Sequence, residues 1–171
     1  MFLGVSANMS ALQRFSYGMF LLTAHEGGKD NGCVVNTVMQ VSSHPVRIAV
    51  CMFKKNLTHD MVLHTGLFNL CCFSTDAEFE LFRRFGLQSG RKADKFQNLT
   101  CLERSENGLY LLTQGVNASL CARVTDSVDL DDHTLFIAEV TDSHIVSQVP
   151  SCTFDYYQTH IYPHKNIPSA R

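Results

Sequence analysis

One run in the second half of the chain limits the fold more than any other feature. Ala118, Leu120, Ala122 and Val124 alternate there with Ser119, Cys121, Arg123 and Thr125. A period of two places successive side chains on opposite faces of a strand, so this run makes one apolar and one more polar face. The stretch from Leu109 to Tyr157 is strand-like throughout. In the first half, Tyr17–Ala24, Cys33–Ser42, Val46–Met52 and Leu67–Phe73 also read as strands, with Pro45 breaking the second from the third. The segment from Glu26 to Gly32 is a turn, and its Asn31–Gly32 pair predicts a hairpin. Helices are few and short. One covers 8–15, capped by Asn8 or Ser10. Another starts at Thr58 as N-cap, contains Met61, Val62 and Leu63, and ends at Gly66. A third covers Asp76–Phe85 behind Thr75, with Phe79, Phe82 and Phe85 at helical spacing. Many strands against a few short helices point to a mainly β barrel rather than a βαβ sheet.

Composition narrows the function. The 171 residues suit one domain, with a core of about 11–160 and a loose tail over 163–171. A hydrophobic share of 45% supports a real core and argues against disorder. Fourteen Lys and Arg against sixteen Asp and Glu give a net charge of −2, so no nucleic-acid partner is expected. The N-terminal Met1–Val5 is apolar but stops at once, with no basic residue before Arg14. No run is long enough to span a bilayer, and a cytoplasmic setting is expected. The seven Cys show no C-x-x-C spacing and mostly sit in strand-like runs, which reads as free thiols in a reducing compartment. Sequons begin at Asn8, Asn56, Asn98 and Asn117, and carry no meaning for glycosylation without an export signal.

Several chemistries are missing from the sequence. There is no G-x-G-x-x-G, no G-x-x-x-x-G-K-[ST], no G-x-S-x-G and no H-E-x-x-H. The run Gly86–Lys92 is too short for a P-loop, and no Ser or Thr follows Lys92. His59 and His64 are five apart, a poor spacing for a metal pair, and no metal is expected.

Three polar clusters remain. In Ser89–Phe96, Ser89 and the Gly90 backbone can donate to an anion, Arg91 can fork onto a phosphate and Lys95 can add a point charge; a solvated loop is the other reading. Phe53-Lys54-Lys55-Asn56-Leu57-Thr58-His59 leaves a strand and opens a helix, which suits either an anion site or a plain helix cap. Asn36, Gln40 and Ser42 share one strand face by period two, and could meet a flat heterocycle or solvent.

Together these blocks resemble the flavin reductase-like family of FMN-binding split barrels. The resembling segments are Ser16–Thr23, Asn36–Ser42, Lys54–His59, Phe85–Phe96 and His133–Val140, in the family's order and covering roughly Ala11 to Tyr157. The resemblance implies a six-stranded antiparallel Greek-key split barrel that forms a homodimer, with FMN in a groove near the subunit contact. It implies hydride transfer from NADH or NADPH to FMN, and then electrons passing to free flavin, ferric complexes or a small redox protein. Some relatives carry a fused rubredoxin domain; this chain lacks rubredoxin cysteine pairs, so a rubredoxin-like partner would be separate. A flavoredoxin-like electron carrier and a non-catalytic flavin-binding module are the alternatives.

By the same resemblance, Asn36, Thr37, Val38 and Gln40 lie along the isoalloxazine. Lys54, Asn56, Thr58 and His59 lie near the ribityl chain and phosphate, and Ser89, Gly90, Arg91 and Lys95 close over the phosphate. His133 falls near the exposed flavin face as an active-site residue; a hairpin-turn His is the bland reading. Three positions depart from the family pattern. Phe53 replaces a small polar residue and could narrow the groove or stack near the flavin. Lys92 replaces a common acid, and Ala138 replaces a usual Gly. No Arg pair stands out for an NADP 2′-phosphate, which favours NADH.

Overall fold

A computed structural model of the chain describes residues 9–162 apart from Gln13. The elements, in order, are helix α1 (Met9–Leu12), strands β1 (Phe20–Glu26), β2 (Lys29–Val35), β3 (Val38–Ser43) and β4 (Val46–Phe53), helix α2 (Leu57–Thr65), strand β5 (Leu67–Phe73) and helix α3 (Phe79–Gly86). Two short strands follow, β6 (Leu102–Arg104) and β7 (Tyr110–Leu112), then two long ones, β8 (Val116–Leu130) and β9 (His133–Ile145). The last elements among the described residues are helix α4 (Phe154–Tyr156) and a π-helical turn over Tyr157–Ile161. Asn8 and the tail over 163–171 lie outside the described residues.

Seven strands form one antiparallel sheet in the order β2-β1-β5-β8-β9-β4-β3, and β6 pairs with β7 in a separate ribbon. The main sheet thus has seven strands where six were expected. Its two edges, β2 and β3, are consecutive in sequence. Only Asn36 and Thr37 separate them, so Val35 and Val38 are at most about 11 Å apart. That short tether brings one end of each edge together and forces the sheet to curl into a barrel open along one seam.

The register corrects several expectations. Glu26 pairs with Lys29, so the hairpin turn is Gly27–Gly28 and not Asn31–Gly32. Both turn residues have positive φ, 58° and 79°, which a two-residue turn matched to strand twist requires. Asn31 and Gly32 lie inside β2. The expected strand over 33–42 is broken at Asn36–Thr37, where the chain crosses the seam. The pairing with β4 also slips between Gln40 and Ser42, so Asn36, Gln40 and Ser42 do not form one continuous face. The N-cap of α2 is Asn56 rather than Thr58, while Gly66 ends the helix in the left-handed region at φ 68°. The N-cap of α3 is Glu78 rather than Thr75, and Ser10 falls within α1 rather than before it. The strand-like reading to Tyr157 stops at Ile145.

Alternation along the strands builds apolar layers on both faces of the sheet. Leu22, Phe68, Leu70, Val50, Met52 and Phe136 fill the barrel interior, with Met61 and Val62 of α2 packed into it. Leu21, Cys71 and Phe73 point the other way, onto Phe82 and Phe85 of α3, Leu111, Leu112, Val116 and Tyr157. Phe82 is 4.4 Å from Phe73 and 4.6 Å from Tyr157, centroid to centroid, so α3 and the C-terminal turn are bound to the sheet through one aromatic stack.

Candidate functional site

Where α2 begins and α3 ends, two recesses adjoin. The first, of about 270 Å³, is polar and is lined by Asn31, Cys33, Lys55, Asn56, Leu57, Thr58, Gln88, Ser89, Gly90 and Lys95. The second, also about 270 Å³, is mostly apolar and is lined by Met19, Val34, Val35, Asn36, Phe82, Phe154 and Tyr157. They share Gly86 and Leu87, and so form one groove with a polar and an apolar end.

The polar end follows from local rules. The first N–H groups of α2 have no intrahelical acceptor, and the helix dipole favours an anion there. Thr58 and Ser89 add hydroxyls. Lys55 makes no ion pair among the described residues, and its ammonium lies 5.7 Å from the Phe53 ring centroid. The wall behind them is Asn31, only 1% exposed. Its Nδ2 donates to Thr58 Oγ1 at 2.9 Å, while its Oδ1 is buried with no partner. Gly90 packs directly on this amide and leaves no room for a Cβ. Lys29 Nζ donates to Gly90 O at 2.7 Å and fixes the loop from the strand side.

Not every expected cation faces the recess. Lys95 lines it, but is buried and donates to Gly32 O at 2.8 Å and Phe85 O at 3.0 Å. Burial pulls its pKa down, partly offset by the neighbouring Cys33. It braces β2 against α3 and keeps one donor for a ligand. Arg91 is half-exposed and bonds Asp60 Oδ2 at 2.6 Å rather than lining the recess. Burial alone would raise the Asp60 pKa, but hydrogen bonds from Arg91 and His59 outweigh it and hold the carboxyl below its usual range. His59, on the buried side of α2, has Nε2 2.9 Å from Thr134 Oγ1.

The remaining expected residues fall elsewhere. Thr37 Oγ1 donates to Cys51 O at 2.8 Å, across the β3–β4 register. Val38 is half-buried on β3, and Gln40 is exposed, with Nε2 3.2 Å from Ser42 O. Phe53, Lys54 and His133 gather where β4 meets β9. The Phe53 and His133 rings are 5.2 Å apart, and Lys54 Nζ reaches Asp129 at 2.7 Å. Asp132 Oδ1 is 2.7 Å from His133 Nδ1. This hydrogen bond holds the Asp132 carboxyl below its usual range. Lys55 links the cluster to the polar recess. Sequence reasoning passed over Asn31, Gln88, Phe154 and Tyr157 as site residues. Asn31 was hidden by the turn reading of Asn31–Gly32, and Tyr157 reaches the groove only through the tertiary fold.

FMN presents a phosphate, ribityl hydroxyls and a flat ring system with an apolar dimethylbenzene end and a hydrogen-bonding pyrimidine end. The donor set at the α2 N-terminus suits the phosphate. Asn31 offers a buried acceptor that lacks a hydroxyl donor, and the apolar recess suits the ring. The residues fit the group.

An antiparallel barrel split along one seam, with such a groove beside it, defines the FMN-binding split-barrel class. The flavin reductase like domain model matches residues 12–164, and the chain belongs to that family. A ferric-chelate reductase (NAD(P)H) of Archaeoglobus fulgidus is 32% identical over 151 residues, 88% of this chain and 89% of that protein. A high molecular weight rubredoxin of Moorella thermoacetica is 37% identical over 147 residues, 86% of this chain; the chain spans 64% of that relative's length. Among solved structures, an NADH:FAD oxidoreductase of Streptomyces globisporus superposes with a TM-score of 0.75 at 22% identity, covering 86% of this chain and 88% of that one. No helix among the described residues is long and apolar enough to cross a membrane.

Proposed function

We propose that this chain is an NAD(P)H-dependent flavin reductase that holds FMN in the adjoining recesses. The observation that carries the reading is the polar recess at the start of α2, with its buried Asn31 wall, running into an apolar slot. Lys55, Asn56, Thr58, Ser89 and Gly90 would hold the phosphate and ribityl chain, and Lys95 keeps the loop and strand in place beneath them. Val34, Val35, Asn36, Leu87 and Tyr157 would flank the ring. The chemistry supplied there, with FMN held by these residues, would be hydride acceptance from NAD(P)H and onward transfer of electrons singly or in pairs. The protein contributes position, phosphate charge and exclusion of water. His133, held by Asp132 and Phe53 where β4 meets β9, lines neither recess, and its proposed place on the donor side rests on the family resemblance. The acceptors proposed are free flavin, ferric complexes or a small redox protein such as a rubredoxin, in keeping with the names of the relatives.

The active form proposed is a homodimer. Along β4 and β9, Ala49, Cys51, Leu135 and Ile137 alternate with the barrel-facing residues and so lie on the outer face. Met39 pairs with Ala49 and Val128 with Leu135, and both Met39 and Val128 are exposed. A sheet facing water on one side carries polar residues there. The middle of this outer face is apolar, flanked by Arg47, Glu139 and Asp126, and suits a second copy of the chain. A cytoplasmic setting is part of the proposal and rests on the free thiols.

The test is the visible spectrum of the purified protein before and after anaerobic NADH or NADPH, with its mass in solution measured on the same sample. A two-band flavin spectrum that bleaches, from a species of twice 19.2 kDa, is the expected result. A flavin spectrum that neither nucleotide bleaches would move the chain to the carrier reading. A protein that stays colourless with added FMN would refute flavin binding.

A further inference from the structure

The polar recess has two walls from different elements: the first turn of α2, with Asn56 and Thr58, and the loop after α3, with Ser89 and Gly90. Just beyond these lining residues the walls are joined. Arg91 Nη2 donates to Asp60 Oδ2 at 2.6 Å. The two partners are held very differently. Asp60 sits on a helix, and its Oδ1 is 3.2 Å from Nδ1 of His59, itself buried and 2.9 Å from Thr134 on β9. Arg91 rides on a loop with about half its side chain in solvent. A carboxylate anchored through a buried histidine to the barrel thus grips a guanidinium carried by a loop. Resting on the flavin reading above, we infer that Asp60 is a positioning residue: its bond to Arg91 clasps the loop over the phosphate end of the groove and sets how fast FMN leaves.

The competing assignment makes Arg91 a phosphate ligand, for which Asp60 competes. The two predict opposite signs for one substitution. If Asp60 is a clasp, Asp60→Asn loosens the loop and FMN leaves faster. If Asp60 competes, Asp60→Asn frees Arg91 and FMN is held longer.

The experiment loads the full chain with FMN, dilutes it and follows the rise of free-flavin fluorescence. Asp60→Asn is expected to release FMN about fivefold faster, the scale of one partly exposed charge pair. Asp60→Glu, which keeps a carboxylate, stays nearer the parent. The double variant Asp60→Asn with Arg91→Ala is expected to release FMN no faster than Arg91→Ala alone, because both changes open one clasp. Slower or unchanged release from Asp60→Asn overturns the inference, as does a double variant whose effects simply multiply. Melting curves of the flavin-free proteins check folding, and the clasp requires release to change in variants that melt like the parent. A parent chain that binds no FMN fails earlier, and defeats the flavin reading rather than the clasp alone.

Discussion

Gly90 shows how tightly one residue can be specified. The Asn31 amide lies where its Cβ would be, and that amide is itself held by Thr58. Neither partner can yield easily, so Gly90→Ala must push the loop away from the strand. The expected cost is about 1–3 kcal/mol of stability, the usual range for overpacking a fixed site, together with weaker FMN retention. Paired melting curves and a flavin titration check both, and an alanine variant that matches the parent in each would refute the contact. That Asn56, Thr58, Ser89 and Gly90 could meet at one polar recess was legible because each belongs to a local pattern, a helix start or a small-residue loop. Arg91 and Lys95 were legible as cations, but their partners were not. A lysine in a sequence does not reveal whether it faces a phosphate or two carbonyls, and Lys95 faces Gly32 and Phe85.

At the scale of elements, α3 matters more for what it seats than for its length. Phe82 joins Phe73 on the sheet to Tyr157 in the C-terminal turn, and both Phe82 and Tyr157 line the apolar recess. Phe82→Ala removes the middle ring of the stack and should cost about 3–5 kcal/mol. Denaturant unfolding measures this, and a loss under about 1 kcal/mol would show that the site collapses around the gap. The spacing of Phe79, Phe82 and Phe85 gave away this helix. Its start was misplaced because Thr75 is a good cap by type, whereas the chain turns at Glu78. The hairpin failed for a related reason. Gly27–Gly28 and Asn31–Gly32 are both turn-formers, four residues apart, and only the pairing of Glu26 with Lys29 chooses between them.

For the molecule as a whole, strand order was the least legible property. Alternation marks a strand but says nothing about its neighbour, so β5 lying between β1 and β8 could come only from resemblance or from the fold itself. Burial of cysteines gives a global pH signature. Burial pushes the Cys71 thiol up to about 12, and Cys72 and Cys152 up to about 11. An unfolded chain loses these protons from about pH 8.5, while the folded chain keeps them. The folded state then binds more protons, so stability falls as pH rises through that window. Each thiol held fully protonated steepens the slope by about 1.4 kcal/mol per pH unit. Lys95, with its lowered pKa, works in the opposite sense below its ordinary value and offsets part of one thiol. Urea unfolding at pH 8 and pH 10 should show the loss, and Cys71→Ala should flatten it. A parent whose stability is level across that range would contradict the assignment.

The four buried thiols have a chemical consequence. Sulfur reacts with oxidants chiefly as thiolate, and a thiol kept protonated and out of solvent is a poor target. A domain that carries reduced flavin in air makes hydrogen peroxide beside its own backbone. Cys33, Cys71, Cys121 and Cys152 are buried and held above their ordinary pKa, so these four thiols are poor targets for peroxide formed beside them.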